Sequence, residues 1–166
     1  TLFRVPGVGG VIRRADQIPV YRGTTVAGEA LRAAVAAVRE GKCVVIFPEG
    51  TTTKDPQKWP MTGKTGAARV ALETGCPVIP IGQWGSERIL ARGEWIPKLL
   101  PRHTVSVVAG PPVDLSSFAG GADDPQILRV ATDRIMDDIT ALVAQLRGED
   151  PPATRYQPPP RHGTSR

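Results

Sequence analysis

Apolar positions first form a short run with strand character, IPVYR at 18–22, and then a helical stripe. Ala27, Leu31, Ala34, Val35 and Val38 recur at three- and four-residue spacing, which places them on one face of a helix that Thr24 or Thr25 can cap and Gly41 can stop. KCVVIF at 42–47 is a continuous apolar run of the kind that fills the middle of a parallel sheet. KTGAARVALETG at 64–75 predicts a second helix ending at Gly75, PVIPI at 77–81 the next strand, and HTVSVVAG at 103–110 another. Residues 83–101 are irregular and punctuated by Gly and Pro, with Trp84, Trp95, Ile96, Leu99 and Leu100 among them. From Asp124, with Pro125 in the first turn, a long helix is predicted to about Gln145, bearing Ile127, Leu128, Ala131, Ile135, Ile139, Leu142 and Leu146 on one side. This alternation predicts an α/β fold with a mostly parallel (mixed) sheet flanked by helices.

Composition refines the outline without changing its class. The 166 residues are 40% hydrophobic and 22% charged, as in ordinary globular chains, and suit one domain. That domain is expected over residues 1–147. After Gly148, PPATRYQPPPRHGTSR is proline-rich, basic and without an apolar stripe, so residues 148–166 are expected to form a disordered tail. No run of about 18 apolar residues offers a membrane-spanning helix. The chain starts at Thr1, and TLFRVPGVGG has no helix or strand start signal, so it is expected to begin inside a longer protein, its fold incomplete at the N-terminus.

Charge and cysteines narrow the function classes. The net charge of +5 suits an acidic partner, but Arg155, Arg161 and Arg166 of the tail have no acid beside them; without them 21 − 3 = 18 basic residues face 16 acidic ones. A barely basic folded part with only 5% aromatic residues argues against nucleic acid as a partner. Cys43 and Cys76 lie 33 positions apart beside apolar residues, lack the close spacing of a metal clip, and are expected to be buried reduced thiols. No metal and no redox cofactor are expected.

Two glycine patterns fail as nucleotide sites. Gly63-Lys64-Thr65 ends like a phosphate-binding P-loop, but the position that needs the first glycine holds Lys58 and no strand precedes it. Gly7-Val8-Gly9-Gly10 begins like a dinucleotide fingerprint, but Ile12 stands where its third glycine belongs. FPEGTTT at 47–53 is different, because it follows a predicted strand at the edge where open α/β sheets place ligands. Pro48 ends the ladder, Gly50 permits a turn, and Thr51, Thr52 and Thr53 offer hydroxyls and amides suited to a phosphate or polar head group. A cap or turn for the following loop is the plainer use of the same residues. Glu49 would repel an anionic ligand unless it pairs with a cation or binds a hydroxyl, and Arg22 and Lys64 are the candidate cations.

The motifs LFRVPGVGGVIRRADQIPVYRG, VVIFPEGTTT and MTGKTGAARVALETGCPVIPI stand in an order and at separations that resemble the glycerophospholipid acyltransferase family, over roughly residues 1–82. The resemblance is in particular to the bacterial 1-acyl-glycerol-3-phosphate acyltransferases. The resemblance implies an acyltransferase that moves a fatty acyl group from acyl-CoA or acyl-carrier protein to the hydroxyl of lysophosphatidic acid. It implies that Arg22 contacts the acceptor phosphate, that Glu49 and Gly50 shape the glycerol-phosphate site, that Lys64 adds a phosphate contact, and that Pro80 lies near the acyl donor; Thr51, from its hydroxyl and amide, is counted with the substrate-binding residues. It also implies a membrane surface as partner and residence at the cytoplasmic face of the cell membrane, peripheral or anchored by a missing N-terminal part.

The family's chemistry uses a histidine and an aspartate spaced H-x-x-x-x-D, upstream of the motifs quoted. Val107 stands five positions after His103, and His162 is too near the end for a partner, so no catalytic residue is expected in this chain. The alternative class is a non-catalytic module that binds anionic lipid or another phosphate-bearing ligand through the same pocket and the basic tail.

Overall fold

The computed structural model describes residues 27–94 and 96–159. The chain divides into two compact units, residues 1–45 and 46–166. In the first, helix α1 (Ala27–Arg39) buries Ala34 and Val35 of the expected stripe. Gly41, at φ +78°, closes the helix in a left-handed turn; its N–H donates to the Val38 carbonyl at 2.9 Å and the Lys42 N–H to Ala37 at 3.0 Å. The strand predicted at 18–22 and the capping Thr24 or Thr25 lie outside the described residues.

The second unit contains helices α2 (Gly66–Thr74) and α3 (Pro125–Arg147) and strands β1 (Ile81–Trp84) and β2 (Ser106–Ala109). Asp124 caps α3, its Oδ1 accepting from the Gln126 and Ile127 amides at 2.7 and 3.2 Å, and Gly148 ends the helix at φ +65°. The buried face of α3, with Leu128, Ala131 and Ile135, meets Ala68 of α2 and Val113 in one core, against which Val78, Phe118 and Ile139 pack. Each large aliphatic side chain removed from water there contributes about 1.5–3 kcal/mol, so this face fixes how α3 lies.

The fold is α/β, but its described sheet is an antiparallel pair, with Ile81 opposite Ala109 and Trp84 opposite Ser106, and not the mostly parallel sheet expected. KCVVIF forms no strand, and Val45 is 71% and Phe47 78% exposed. A continuous apolar run marks a central strand only where other strands flank it, and among the described residues none does. The strand expected at 77–81 shifts to 81–84 because Pro77 and Pro80 have no N–H to donate. Their stretch pairs through carbonyls instead: Val78 accepts from Val113 and Pro80 from Gly110, both at 2.9 Å. Cys43 is exposed and Cys76 half-buried, contrary to two buried thiols.

Within the tail expected at 148–166, the described residues Arg155 and Tyr156 make specific contacts. Arg155 donates to the Asp133 carboxylate at 3.3 Å and carbonyl at 3.1 Å and pairs with Asp137, while the Tyr156 carbonyl accepts from the Thr62 amide at 3.2 Å. A segment without an apolar stripe is held here by one guanidinium with three acceptors on α3.

α3 approaches the sheet at a glycine. A Cβ added to Gly82 would stand 2.7 Å from Leu142 Cβ and 3.1–3.2 Å from the α3 backbone, neither of which can swing aside. Gly82→Ala is therefore expected to destabilise the protein by about 1–3 kcal/mol, read as a lowered urea midpoint. Gly66→Ala, with nothing within 4 Å, should not. Equal midpoints for the two variants would contradict this packing.

Candidate functional site

Phe47-Pro48-Glu49-Gly50 makes a tight turn, the Gly50 N–H donating to the Phe47 carbonyl at 2.9 Å with Gly50 at φ +64°. The positive φ favours glycine. Lys64 gives a second reason: its Nζ lies 3.2 Å and its Cε 3.3 Å from where a Gly50 Cβ would be. Lys64 is tied to the turn through its backbone as well, its N–H donating to the Pro48 carbonyl at 2.8 Å. An exposed ammonium thus sits over the glycine of the turn.

Glu49 does not take the cationic partner expected for it among the described residues. Its Oε2 accepts from the Met61 N–H at 3.2 Å, and burial pushes the carboxyl up from its ordinary 4.5 to about 7, the amide only partly opposing the rise. Near neutral pH the group is a mixture of acid and carboxylate. The protonated form can donate a hydrogen bond to a ligand hydroxyl or phosphate oxygen without repelling it.

The hydroxyls divide between roles. Thr53 Oγ1 donates to the Trp59 carbonyl at 2.7 Å and accepts from the Asp55 amide at 3.2 Å, so it closes the loop instead of facing a ligand. Asp55 Oδ2 accepts from the Trp59 amide at 2.8 Å and completes that closure. Thr52 is exposed and Thr51 half-buried beside Gly50. Pro80 is buried next to β1, paired with Gly110, and belongs to the sheet and not to the 47–64 loop. Arg22 lies outside the described residues.

Four side chains that the motifs did not point to hold this loop in place. Arg147, at the end of α3, stacks on Trp59 at 3.9 Å and Trp84 at 4.4 Å from the ring centroids, and donates to the Gln57 carbonyl at 2.8 Å. Arg129 donates to the Gly63 carbonyl at 2.9 Å while paired with Asp133 at 2.8 Å. Arg155 shares that Asp133. The i, i+4 spacing of Arg129 and Asp133 signals a helix-surface ion pair, but nothing in the spacing points to Gly63. Among the described residues no cluster of three or more His, Cys, Asp or Glu side chains could hold a metal ion.

The model of the acyltransferase family matches residues 1–84 of the 166. The chain belongs to the acyltransferase family. The family resemblance read from residues 1–82 is borne out, and its FPEGT turn falls within the matched stretch. Over 93 residues, 55% of this acyltransferase chain, it is 32% identical to a chloroplastic 1-acyl-sn-glycerol-3-phosphate acyltransferase of Brassica napus and covers 26% of it. Over the same length it is 30% identical to the chloroplastic enzyme of that name from Arabidopsis thaliana, again covering 26%. The chain thus spans about a quarter of these relatives. The crystal structure of the 1-acyl-sn-glycerophosphate acyltransferase of Thermotoga maritima shares its fold, with a TM-score of 0.63 at 24% identity over 91% of this chain and 56% of that one. The fold likeness therefore runs well beyond residue 84.

Burial of Glu49 has a consequence for stability. Its pKa is raised on folding, so between about 4.5 and 7 the folded chain holds a proton that the unfolded chain has released. Stability contributed by this group is present at low pH, falls as pH rises through that window, and stays lowered above it. Glu49→Gln, which keeps an acceptor for the Met61 amide, is expected to remove this slope and to be more stable than wild type at about pH 8 but not at about pH 4. Urea titrations of both proteins across that range check it; parallel profiles would refute the buried carboxyl.

Proposed function

We propose that this chain carries the acceptor-binding part of a 1-acyl-glycerol-3-phosphate acyltransferase, which transfers a fatty acyl group from a CoA or carrier-protein thioester to the free hydroxyl of lysophosphatidic acid. One observation carries the reading: the Lys64 ammonium lies over the Gly50 turn of the family's FPEGT motif. The names of both plant relatives support the acceptor. A phosphate monoester seated at the turn would meet the ammonium of Lys64 and the backbone around Gly50 and Thr51, and the family resemblance adds Arg22 as a phosphate contact. Glu49, a mixture of acid and carboxylate near neutral pH and largely protonated below it, would face the glycerol hydroxyl or a phosphate oxygen. Pro80 would flank the acyl donor.

Transfer itself requires a base to take the acceptor hydroxyl's proton while that oxygen attacks the thioester carbonyl; the tetrahedral intermediate then expels the thiolate. Neither histidine of these 166 residues has an aspartate five positions on, so we assign the base to a His-x-x-x-x-D pair elsewhere in the enzyme. The same reading places the enzyme at the cytoplasmic face of a membrane. Ile96, Leu99 and Leu100 are 81%, 70% and 85% exposed next to Lys98 and Arg102, an apolar and basic surface suited to anionic lipid. No helix among the described residues is long and apolar enough to cross a membrane.

In the full-length enzyme, Lys64→Ala is expected to raise the acceptor KM about tenfold with kcat within about twofold, because the lost contact is to a phosphate remote from the reacting hydroxyl. Arg22→Ala should raise it as much or abolish transfer. Steady-state acylation of lysophosphatidic acid measures both. Wild-type kinetics in both variants would overturn the phosphate site, and lipid binding without any acyl transfer would favour a non-catalytic module.

A further inference from the structure

Residues 62, 63 and 64 are each fixed through the backbone by a different part of the chain. The Thr62 N–H donates to the Tyr156 carbonyl at 3.2 Å, the Gly63 carbonyl accepts from Arg129 at 2.9 Å, and the Lys64 N–H donates to the Pro48 carbonyl at 2.8 Å. Asp133 links the first two anchors, because its carboxylate binds Arg129 at 2.8 Å and Arg155, the neighbour of Tyr156, at 3.3 Å. Asp137 holds Arg155 from the next turn of α3. Gly63 has no slack between these anchors: a Cβ there would stand 3.0 Å from Met136 and 3.1 Å from Thr132.

We infer that the segment 151–159 is a positioning strap for the acceptor site, which sets Lys64 over Gly50 by gripping Thr62, with Arg155 as its fastening. Neither Arg155 nor Tyr156 makes a hydrogen bond or ion pair with residues 47–50. Their effect passes through two peptide units to the ammonium, and a side chain as flexible as lysine places its charge only as well as its backbone is held. The network has consistent polarity: Arg129 and Arg155 neutralise Asp133, and both also donate to backbone carbonyls, so no charge in it lacks a counter-charge.

This inference rests on the acceptor-site reading above, and its test uses the full-length enzyme with two independent readouts. Arg155→Ala, and separately a chain ending at Gly148, are expected to raise the acceptor KM about tenfold while kcat stays within about twofold. Arg155→Lys keeps one charge but not three contacts and should fall between, as should Asp137→Asn. The second readout is amide hydrogen exchange at Thr62, expected to speed up at least about tenfold in the truncated chain whether or not the enzyme is turning over. Urea midpoints establish that each variant is folded, and the milder Asp137→Asn serves if Arg155→Ala is not. Unchanged exchange at Thr62 overturns the strap. So does faster exchange with an unaltered KM, since Lys64 would then be held without it. If the wild-type enzyme acylates no lysophospholipid, the acceptor reading fails, and the exchange result alone still decides whether the strap orders the loop.

Discussion

Gly63 lies against α3 closely enough that a methyl group would meet Met136 and Thr132, and the site loop takes its shape from that approach. Residues 54–62 have no regular secondary structure with which to satisfy their backbone. Thr53 and Asp55 close one end, Glu49 and Tyr156 accept from the Met61 and Thr62 amides, and α3 adds Arg129 at Gly63 and Arg147 at Gln57 and on the Trp59 ring. Because α3 is itself fixed by its buried face against α2 and by the close approach of Leu142 to Gly82, the loop inherits the rigidity of the core. A turn that bore only FPEGT, without that backing, would not keep an ammonium at a defined place.

The electrostatics follow from the same geometry. Packing turns Glu49 inward, to the Met61 amide, and Lys64 outward, over Gly50. One neutral donor is too little to hold a half-buried carboxylate ionised, so its pKa climbs to about 7. An ion pair with Lys64 would have neutralised both groups and left little to attract an anion. Keeping them apart leaves a positive site with a titratable acid at its edge.

Much of this was legible in the chain. The start of α3 was, because Asp124 and Pro125 act locally through capping and φ preference, while its end lies at Arg147, two residues past the expected Gln145, and α2 was legible up to Gly75. The FPEGT turn was legible for the same reason, and Gly63 stood out even as a false P-loop glycine. What failed depended on partners far away. KCVVIF looks like a central strand, yet strand formation needs neighbours that its own pattern cannot supply. PVIPI has strand character in its Val and Ile, while the hydrogen-bond capacity of its two prolines moved the ladder to residues 81–84. Thr53, grouped with Thr51 and Thr52 by type, was claimed by a carbonyl six residues on.

The supporting residues were invisible for a different reason. Arg129 and Tyr156 meet the loop at a backbone carbonyl and a backbone amide, which every residue possesses, so those targets need no particular side chain and leave no paired motif; Arg147 adds the Gln57 carbonyl to its contact with the Trp59 ring. The same holds for residues 149–159, whose composition gives them no core to bury. Order there comes from a guanidinium bonded to Asp133 and Asp137 and from one carbonyl, which composition does not weigh. A motif confined to residues 47–64 can therefore depend on partners about 65 to 95 positions later in the chain. That dependence fits a family match that ends at residue 84 alongside a fold likeness that covers 91% of the chain. The residues that identify the site and those that hold it are selected by different physics, side-chain chemistry for the first and access to backbone for the second.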